Sequence, residues 1–157
     1  MSDRVAVIGA GLTGLVVARR LTEARVPVTV FEKSRGLGGR LATRRTEHGH
    51  FDHGAPVVHC ERAPLAFLET RGCCVRWAGL GYVGLPGMSG LVRPLAHGID
   101  IRAGVEIAAI EDSRDGIGLR DRAGGQHGPF ARLVVAVPAP QAARLLGDMP
   151  GVEALEA

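Results

Sequence analysis

The chain has 157 residues with a formal net charge of +3, and 46% of its residues are hydrophobic. That length is sufficient for one domain with its own core. No apolar run approaches the ~18 residues that a membrane-spanning helix needs, so a membrane protein is not expected. The basic residues are spread along the chain and aromatic residues make up only 4%, which argues against a nucleic-acid-binding surface.

The segment Met1–Arg4 lacks the charged and apolar regions of a secretory signal peptide. The three cysteines are odd in number, and two of them, Cys73 and Cys74, are adjacent. Such a set suits a reducing compartment better than a disulfide framework. The sequence therefore predicts a cytoplasmic protein.

The first predicted elements are a strand, a helix and a second strand. Val5–Ile8 is a short apolar run that ends in glycine, as a buried parallel strand does. A glycine-rich turn then leads into a helix over 12–24, and Val28–Phe31 is a second buried strand after Pro27. Strand, turn, helix and strand within about 30 residues form a βαβ unit.

The middle of the chain gives weaker signals. Residues 35–60 are rich in glycine and are predicted to be irregular, and Ala63–Arg71 is predicted to be a short helix. Ser89 is a candidate N-cap for a helix over Gly90–Ala96 that Pro94 keeps short. The later predicted elements are an antiparallel pair over Gly104–Glu111 and Gly116–Arg120, an apolar strand over Leu133–Val137 and a helix that begins at Gln141–Leu146.

The turn before the first helix carries Gly9, Gly11 and Gly14 in a G-x-G-x-x-G pattern. The first glycine permits a tight turn, the second lets the backbone approach a pyrophosphate, and the third lets the helix pack close to the strand. Glu32 lies 18 residues after Gly14 (32 − 14), where a carboxylate can accept hydrogen bonds from ribose hydroxyls and disfavours the 2′-phosphate of NADP. A glycine turn beside a solvated glutamate is the alternative. The predicted dinucleotide site is Gly9, Ala10, Gly11, Leu12, Thr13, Gly14, Glu32 and Lys33.

A second glycine-rich loop, Gly38-Gly39-Arg40, follows Glu32 after six to eight residues (38 − 32 and 40 − 32). Two glycines let a loop fold back over a cofactor, and a guanidinium can bind a pyrophosphate through two hydrogen bonds. A plain NAD dehydrogenase has no need of such a loop, so FAD is the predicted cofactor. An exposed basic loop is the alternative interpretation.

Four blocks extend this pattern: EKSRGLGGRLATRR (32–45), FDHGAPVVH (51–59), YVGLPGMSGLVRPLA (82–96) and VVAVPAPQAARLL (134–146). Together with the βαβ unit, they resemble the renalase-like bacterial FAD-dependent oxidoreductases of the flavin-containing amine oxidase superfamily. The resemblance implies an α/β, Rossmann-like FAD-binding fold of the glutathione reductase type, with a parallel sheet and an antiparallel β crossover. It also implies a flavin that accepts hydride from a dihydronicotinamide-type or amine substrate.

By the same resemblance, Arg40 would contact a phosphate or the ribityl chain of FAD. Pro56 and Val57 depart from the family, which has a glutamine and an aromatic residue there, and a proline donates no N–H. The resemblance further implies cofactor contacts, largely through the backbone, at Gly54, Ala55, Ile107, Ala136 and Val137.

Members of this family are longer than this chain. We therefore expect a single FAD-binding domain over 1–157, in which 56–98 is a shortened remnant of the substrate domain and the family's C-terminal half is absent. Apolar surface that this half would cover favours self-association. Two alternatives stay open: a non-catalytic remnant that acts, if at all, with a partner, and an NAD-binding dehydrogenase domain.

A histidine-rich stretch comprises His48, His50, Asp52, His53, His59 and Cys60. It is a weak candidate for a metal site, because its spacing is irregular and it lacks a CxxC or HExxH pattern. We therefore predict no metal there. The adjacent thiols of Cys73 and Cys74 are predicted to be incidental, because adjacent cysteines rarely form a relaxed disulfide. No side chain is assigned a catalytic role, since in hydride transfer the flavin carries the chemistry and the expected partner is a small-molecule substrate, NAD(P)H-type compounds included.

Overall fold

The computed structural model describes residues 3–59 and 71–155. The chain divides into two compact units, and the first is discontinuous, since it joins Met1–Arg35 to Ile99–Ala157. The second unit is Gly36–Gly98. The helix predicted over Ala63–Arg71 falls, except for Arg71, outside the described residues. The segment 56–98, predicted to be a substrate-domain remnant, belongs to the second unit, and that interpretation stays a prediction.

The first unit is built on a four-stranded parallel sheet of β1 (Val5–Ile8), β2 (Val28–Glu32), β7 (Asp100–Ala103) and β11 (Arg132–Val135). The strand order is β11-β1-β2-β7. The helix α1 (Leu12–Glu23) connects β1 to β2, which confirms the βαβ unit that the glycine turn and the two apolar runs predicted.

The edge strand β7 was not predicted from the sequence. Its residues pair in parallel with β2, so that Phe31 lies beside Arg102 and Thr29 beside Asp100. The polar side chains Asp100 and Arg102 alternate with Ile101 and Ala103, so the segment does not form the continuous apolar run that marked β1 and β2.

The two faces of the parallel sheet pack against different elements. On one face, α1 buries Leu15 and Ala18 and packs on β1 and β2. On the other face, Ala6, Ile8 and Phe31 form a core with buried residues of an antiparallel sheet. Every residue of β1 is buried, as the apolar sequence of this central strand predicted.

The antiparallel sheet has three strands in the order β10-β9-β8. The predicted hairpin is confirmed, as β8 (Ile107–Ser113) pairs with β9 (Gly116–Asp121). The third strand, β10 (Gln126–Phe130), was not predicted. The chain then continues through β11 into a helix over Ala139–Leu146.

The second unit contains two hairpins, and the first of them lies within the segment 35–60 that was predicted to be irregular. The strands β3 (Thr43–Thr46) and β4 (Gly49–Asp52) form the first hairpin, and β5 (Cys74–Trp77) and β6 (Gly81–Gly84) form the second. The expectation of irregular structure was wrong for this segment: Gly49, the first residue of β4, adopts a φ of +131° directly after the turn, which lets two short polar strands pair.

The helix predicted over Gly90–Ala96 with Ser89 as its N-cap is also corrected. A 3₁₀ helix occupies Met88–Leu91, so Ser89 lies inside it, and the α-helix α2 covers only Arg93–Ala96. Pro94 stands in the first turn of α2, a position that proline tolerates. We name the helix over Ala139–Leu146 α3. Within the described residues, no helix is both long and apolar enough to cross a bilayer.

Candidate dinucleotide site

The carboxyl ends of the parallel strands bring several predicted site residues together at one edge of the sheet. The N–H of Gly9, which follows β1, donates to the carbonyl of Phe31 in β2 at 2.8 Å. On the other side, the N–H of Ala136, after β11, donates to the carbonyl of Ile8 at 2.8 Å. The glycine turn therefore lies between the end of β2 and the segment after β11, at the edge where open α/β sheets bind ligands.

The three motif glycines have different surroundings. Gly9 adopts a φ of +102°, and a Cβ there would lie 2.6 Å from the carbonyl oxygen of Ala136. A Cβ on Gly14 would collide with the carbonyl oxygen of Gly9. For Gly11, by contrast, no heavy atom of the described residues comes within 4 Å of the Cβ position. The first and third glycines are thus needed for packing, whereas the second leaves open space above the backbone.

That open space adjoins the N-terminus of α1. The first intrahelical hydrogen bond runs from the N–H of Leu15 to the carbonyl of Gly11 at 3.0 Å, so the N–H groups of Leu12, Thr13 and Gly14 precede the ladder. Gly11 is the N-cap residue and has no side chain with which to accept from them. Three N–H groups and the positive end of the helix dipole therefore favour an anion at this turn.

The carboxylate of Glu32 is buried, with 7% of the residue exposed. Its Oε2 accepts the N–H of Ala10 at 2.8 Å, and its Oε1 accepts the N–H of Ser34 at 2.8 Å. The side chain therefore connects the glycine turn to the loop after β2. An ionised carboxylate has about four acceptor positions, so two remain for a ligand.

This arrangement refines the predicted role of Ala10. The residue is fully buried and its N–H is directed to Glu32, so it supports the turn rather than facing the space above Gly11. The sequence could not show this contact, because Ala10 and Glu32 are joined only by the pairing of β1 with β2.

The remaining predicted residues of the first unit surround the same edge. Lys33 is exposed, and its Nζ donates to Oε1 of Gln141 in α3 at 3.3 Å. Ile107 begins β8 with a buried side chain, and Val137 packs against the same core. The N–H of Val105 donates to the carbonyl of Glu32 at 2.9 Å, which joins the chain before β8 to the end of β2.

In the second unit, the double-glycine loop and the segment Gly54–Ala55 contact each other. Gly38 and Gly39 adopt φ values of +116° and +55°, and a 3₁₀ helix covers Gly39–Leu41. The N–H of Ala55 donates to the carbonyl of Arg40 at 2.8 Å, and a Cβ on Gly54 would collide with that carbonyl oxygen. The side chain of Arg40 is exposed. Two segments that the family resemblance singled out separately are thus one local structure.

Thr43 and Asp52 support this local structure, a role that the sequence did not reveal. Oδ1 of Asp52 accepts the Thr43 hydroxyl at 2.6 Å and the N–H of Met88 at 2.9 Å. The same hydroxyl oxygen accepts the N–H of Ser89 at 3.0 Å. Asp52 therefore joins the first hairpin to the 3₁₀ helix through Oδ1.

Two further groups of side chains were considered as a metal site or a redox pair: the histidine-rich stretch and the adjacent cysteines. Across residues 3–59 and 71–155, no three His, Cys, Asp or Glu side chains are grouped so as to hold a metal ion, and Cys60 lies outside those ranges. Cys73 and Cys74 are both free thiols, and Cys74 is buried.

A family model described as "NAD(P)-binding Rossmann-like domain" matches residues 7–68. The fold is Rossmann-like. The match begins in β1 and includes the glycine turn, Glu32 and the double-glycine loop. The matched region therefore contains the G-x-G-x-x-G turn together with the buried carboxylate of Glu32.

Curated relatives match part of this Rossmann-like chain. The chain is 38% identical over 68 residues to a 4,4′-diapophytoene desaturase of Staphylococcus haemolyticus, which is 43% of the chain and 14% of that protein. It is 42% identical over 55 residues to a 4,4′-diapophytoene desaturase of Staphylococcus aureus, which is 35% of the chain and 11% of that protein. The chain thus spans a small part of the length of these relatives.

Solved structures share the fold over nearly the whole chain. A protein provisionally named protoporphyrinogen oxidase, from Exiguobacterium sp. 255-15, has a TM-score of 0.79 at 14% identity, over 99% of this chain and 64% of that one. A putrescine oxidase bound to putrescine has a TM-score of 0.75 at 13% identity, over 92% of this chain and 60% of that one. At these identities the likeness shows the fold.

Proposed function

We propose that the chain is the dinucleotide-binding part of an FAD-dependent oxidoreductase, in which a flavin accepts hydride from a dihydronicotinamide-type or amine substrate. One observation carries the proposal: the glycine turn opens, above Gly11, on the uncapped N-terminus of α1, and the carboxylate of Glu32 is held at the same edge of the sheet. An anion site beside a fixed carboxylate suits a pyrophosphate next to a ribose.

The residues of the first unit fit the ADP portion of a dinucleotide. The free N–H groups of Leu12, Thr13 and Gly14 would hold the pyrophosphate, and the space above Gly11 would let it approach the backbone. The two remaining acceptor positions of Glu32 would take the ribose hydroxyls. A 2′-phosphate would meet a carboxylate that two backbone N–H groups hold in place, which supports FAD or NAD over NADP.

The choice of FAD over NAD rests on the second unit. Gly38 and Gly39 adopt left-handed backbone conformations that place Arg40 at an exposed turn, and that turn is hydrogen-bonded to Ala55. An exposed guanidinium on a glycine-rich turn suits a phosphate contact. The flavin, when bound, supplies the hydride-accepting chemistry. The chain's own residues bind and orient the cofactor, and none is assigned a proton-transfer role.

The named relatives support the class of this proposal and leave its detail open. They are desaturases and oxidases, which agrees with an oxidoreductase. We further propose that the protein is renalase-like, that it is cytoplasmic and that its substrate is a small molecule of NAD(P)H or amine type. The same holds for self-association, for which the exposed side chains Phe51, Val75, Trp77 and Leu80 of the second unit offer apolar surface.

The test is a titration of the purified chain with FAD, followed by flavin fluorescence and the visible spectrum. We expect saturable binding with one FAD per chain, and weaker binding of NADP than of NAD. A chain that takes up no FAD would refute the proposal.

The alternatives give different results in the same experiment. A chain that binds NAD with higher affinity than FAD would be an NAD-binding domain. A chain that binds FAD but shows no bleaching of the flavin with any dihydronicotinamide or amine would be a non-catalytic dinucleotide-binding domain.

A further inference from the structure

A polar cavity of about 170 Å³ lies in the first unit, away from the glycine turn. Thr29 and Arg102 contribute to it from β2 and β7, His127 contributes from β10, and Arg4 precedes β1. Arg4 and Gly9 are at opposite ends of β1, five residues apart, which is about 16 Å along an extended strand. Phe31, whose carbonyl accepts the Gly9 N–H, also lines the cavity. Among the described residues, neither the motif glycines nor Glu32 belongs to that lining, so the cavity is distinct from the candidate dinucleotide site.

The guanidinium of Arg102 is held at the cavity by a neighbouring carboxylate. Its Nε donates to Oδ1 of Asp100 at 3.0 Å, and its Nη2 donates to Oδ2 at 3.4 Å. Oδ2 of Asp100 also accepts the hydroxyl of Thr29 at 3.1 Å. A guanidinium carries five N–H donors, so Asp100 uses two and three are left for another acceptor.

Arg4 and His127 are held in place by aromatic rings. The guanidinium carbon of Arg4 lies 5.1 Å from the centre of the Phe130 ring, within the range of a cation–π contact. The imidazole of His127 lies 4.9 Å from the Phe31 ring, and its Nε2 is 2.8 Å from Oδ2 of Asp121. Nδ1 of His127 is the ring nitrogen that this hydrogen bond does not use.

The lining has the chemistry of an anion site. Two guanidinium groups and an imidazole reach the cavity from separate segments of the chain, and none of the described residues that line it is acidic. The carboxylates that orient Arg102 and His127, which are Asp100 and Asp121, are not part of the lining. Because the cationic groups are already oriented, a ligand would lose little free energy in ordering them.

The size of the cavity limits the ligand. A cavity of about 170 Å³ is smaller than the ~300–1,000 Å³ of sites that take drug-sized ligands, so a dinucleotide does not fit. From this geometry we infer a second ligand site in the first unit, which binds a small oxyanion of the size of inorganic phosphate or a short carboxylate. Such an anion would join Arg4 and Arg102 of the parallel sheet region to His127 of the antiparallel sheet.

The test is isothermal titration of the full chain with inorganic phosphate and, separately, with acetate, with FAD present at saturation to fill the glycine turn. We expect phosphate or acetate to bind, and Arg4→Gln and Arg102→Gln each to weaken binding by about tenfold or more, since hydrogen bonds to charged groups are strong. The matched control is Arg20→Gln, which removes an exposed guanidinium of α1 in the same unit and should leave the affinity unchanged.

Each outcome decides the inference. Phosphate binding without acetate binding indicates a phosphate-type ligand, and binding of both indicates any small oxyanion. Absence of binding by either anion overturns the inference, as does an affinity that Arg4→Gln leaves unchanged in a variant whose circular dichroism spectrum is that of the wild type. An equal loss in Arg20→Gln would show a general charge effect and would also overturn it. If the chain takes up no FAD, the arginine variants still test the cavity, because their effect is measured on phosphate.

Discussion

Replacement of Glu32 by alanine should destabilise the chain even when no cofactor is present. The carboxylate accepts the N–H groups of Ala10 and Ser34, both at 2.8 Å, and the Ala10 N–H is fully buried. A buried donor that loses its partner costs about 1–3 kcal/mol, whereas Ser34 is an exposed residue whose N–H can bond to water instead. We therefore expect Glu32→Ala to lower the free energy of unfolding by about 2 kcal/mol.

The assay is urea unfolding followed by circular dichroism, without FAD and with FAD. The matched control is Glu23→Ala, because Glu23 is an exposed carboxylate of α1 whose ion pair with Arg20 is worth about 0.5 kcal/mol or less. Without FAD, Glu32→Ala should lose far more stability than Glu23→Ala. With FAD, it should lose more still, because the ribose contacts are absent too.

Equal stability of the two alanine variants without FAD would refute the view that Glu32 holds the glycine turn. The role in ribose binding is tested separately, by the FAD affinity of Glu32→Gln. The glutamine keeps one carbonyl oxygen for Ala10 or Ser34, but it loses the charge. We expect the FAD affinity of Glu32→Gln to fall by about tenfold, because hydrogen bonds from the ribose to a charged carboxylate would be replaced by weaker bonds to a neutral amide.

The other predictions concern the two glycine segments and the hydrogen bond between Asp121 and His127. Gly14→Ala should prevent folding or cost several kcal/mol, because its Cβ meets the carbonyl of Gly9, whereas Gly11→Ala should fold normally and lose FAD affinity; circular dichroism and FAD titration distinguish the two. Arg40→Ala should weaken FAD binding by about tenfold at unchanged stability, because the side chain is exposed. The hydrogen bond with His127 lowers the pKa of Asp121 below its ordinary value. The ionised carboxylate therefore stabilises the fold at pH values above the ordinary pKa, and this stability is lost as the pH falls through the folded pKa. As the pH falls below 3.8, Asp121→Asn should therefore lose less stability than the wild type, as measured by urea unfolding.

Much of the fold could be predicted from the sequence, because local signals coincide with it. The apolar run Val5–Ile8, the glycine turn and the run Val28–Phe31 predicted the βαβ unit, and the hairpin of β8 and β9 was also expected. The edge strand β7 escaped because it is half polar, and β10 because Gly128 and Pro129 interrupt it.

The sequence predicted the residues of the candidate site, but it did not predict their contacts with one another. The motif spacing identified Gly9, Gly11 and Glu32, since each is tied to a local turn or a strand end. The sequence could not show that Glu32 accepts the Ala10 N–H, because this contact joins residues 22 positions apart through strand pairing. For the same reason, nothing in the sequence indicated that a Cβ on Gly54 would meet Arg40.

The discontinuity of the first unit has a consequence for synthesis on the ribosome. The central strand β1 pairs with β11, and the partners Val5 and Arg132 are 127 residues apart (132 − 5). During translation, one side of β1 therefore stays without its neighbouring strand until β11 has been made. Such long-range pairing slows folding and leaves apolar strands open to wrong partners. Residues 36–98 are complete earlier, so the second unit can form its hairpins while the first still waits for its last strand.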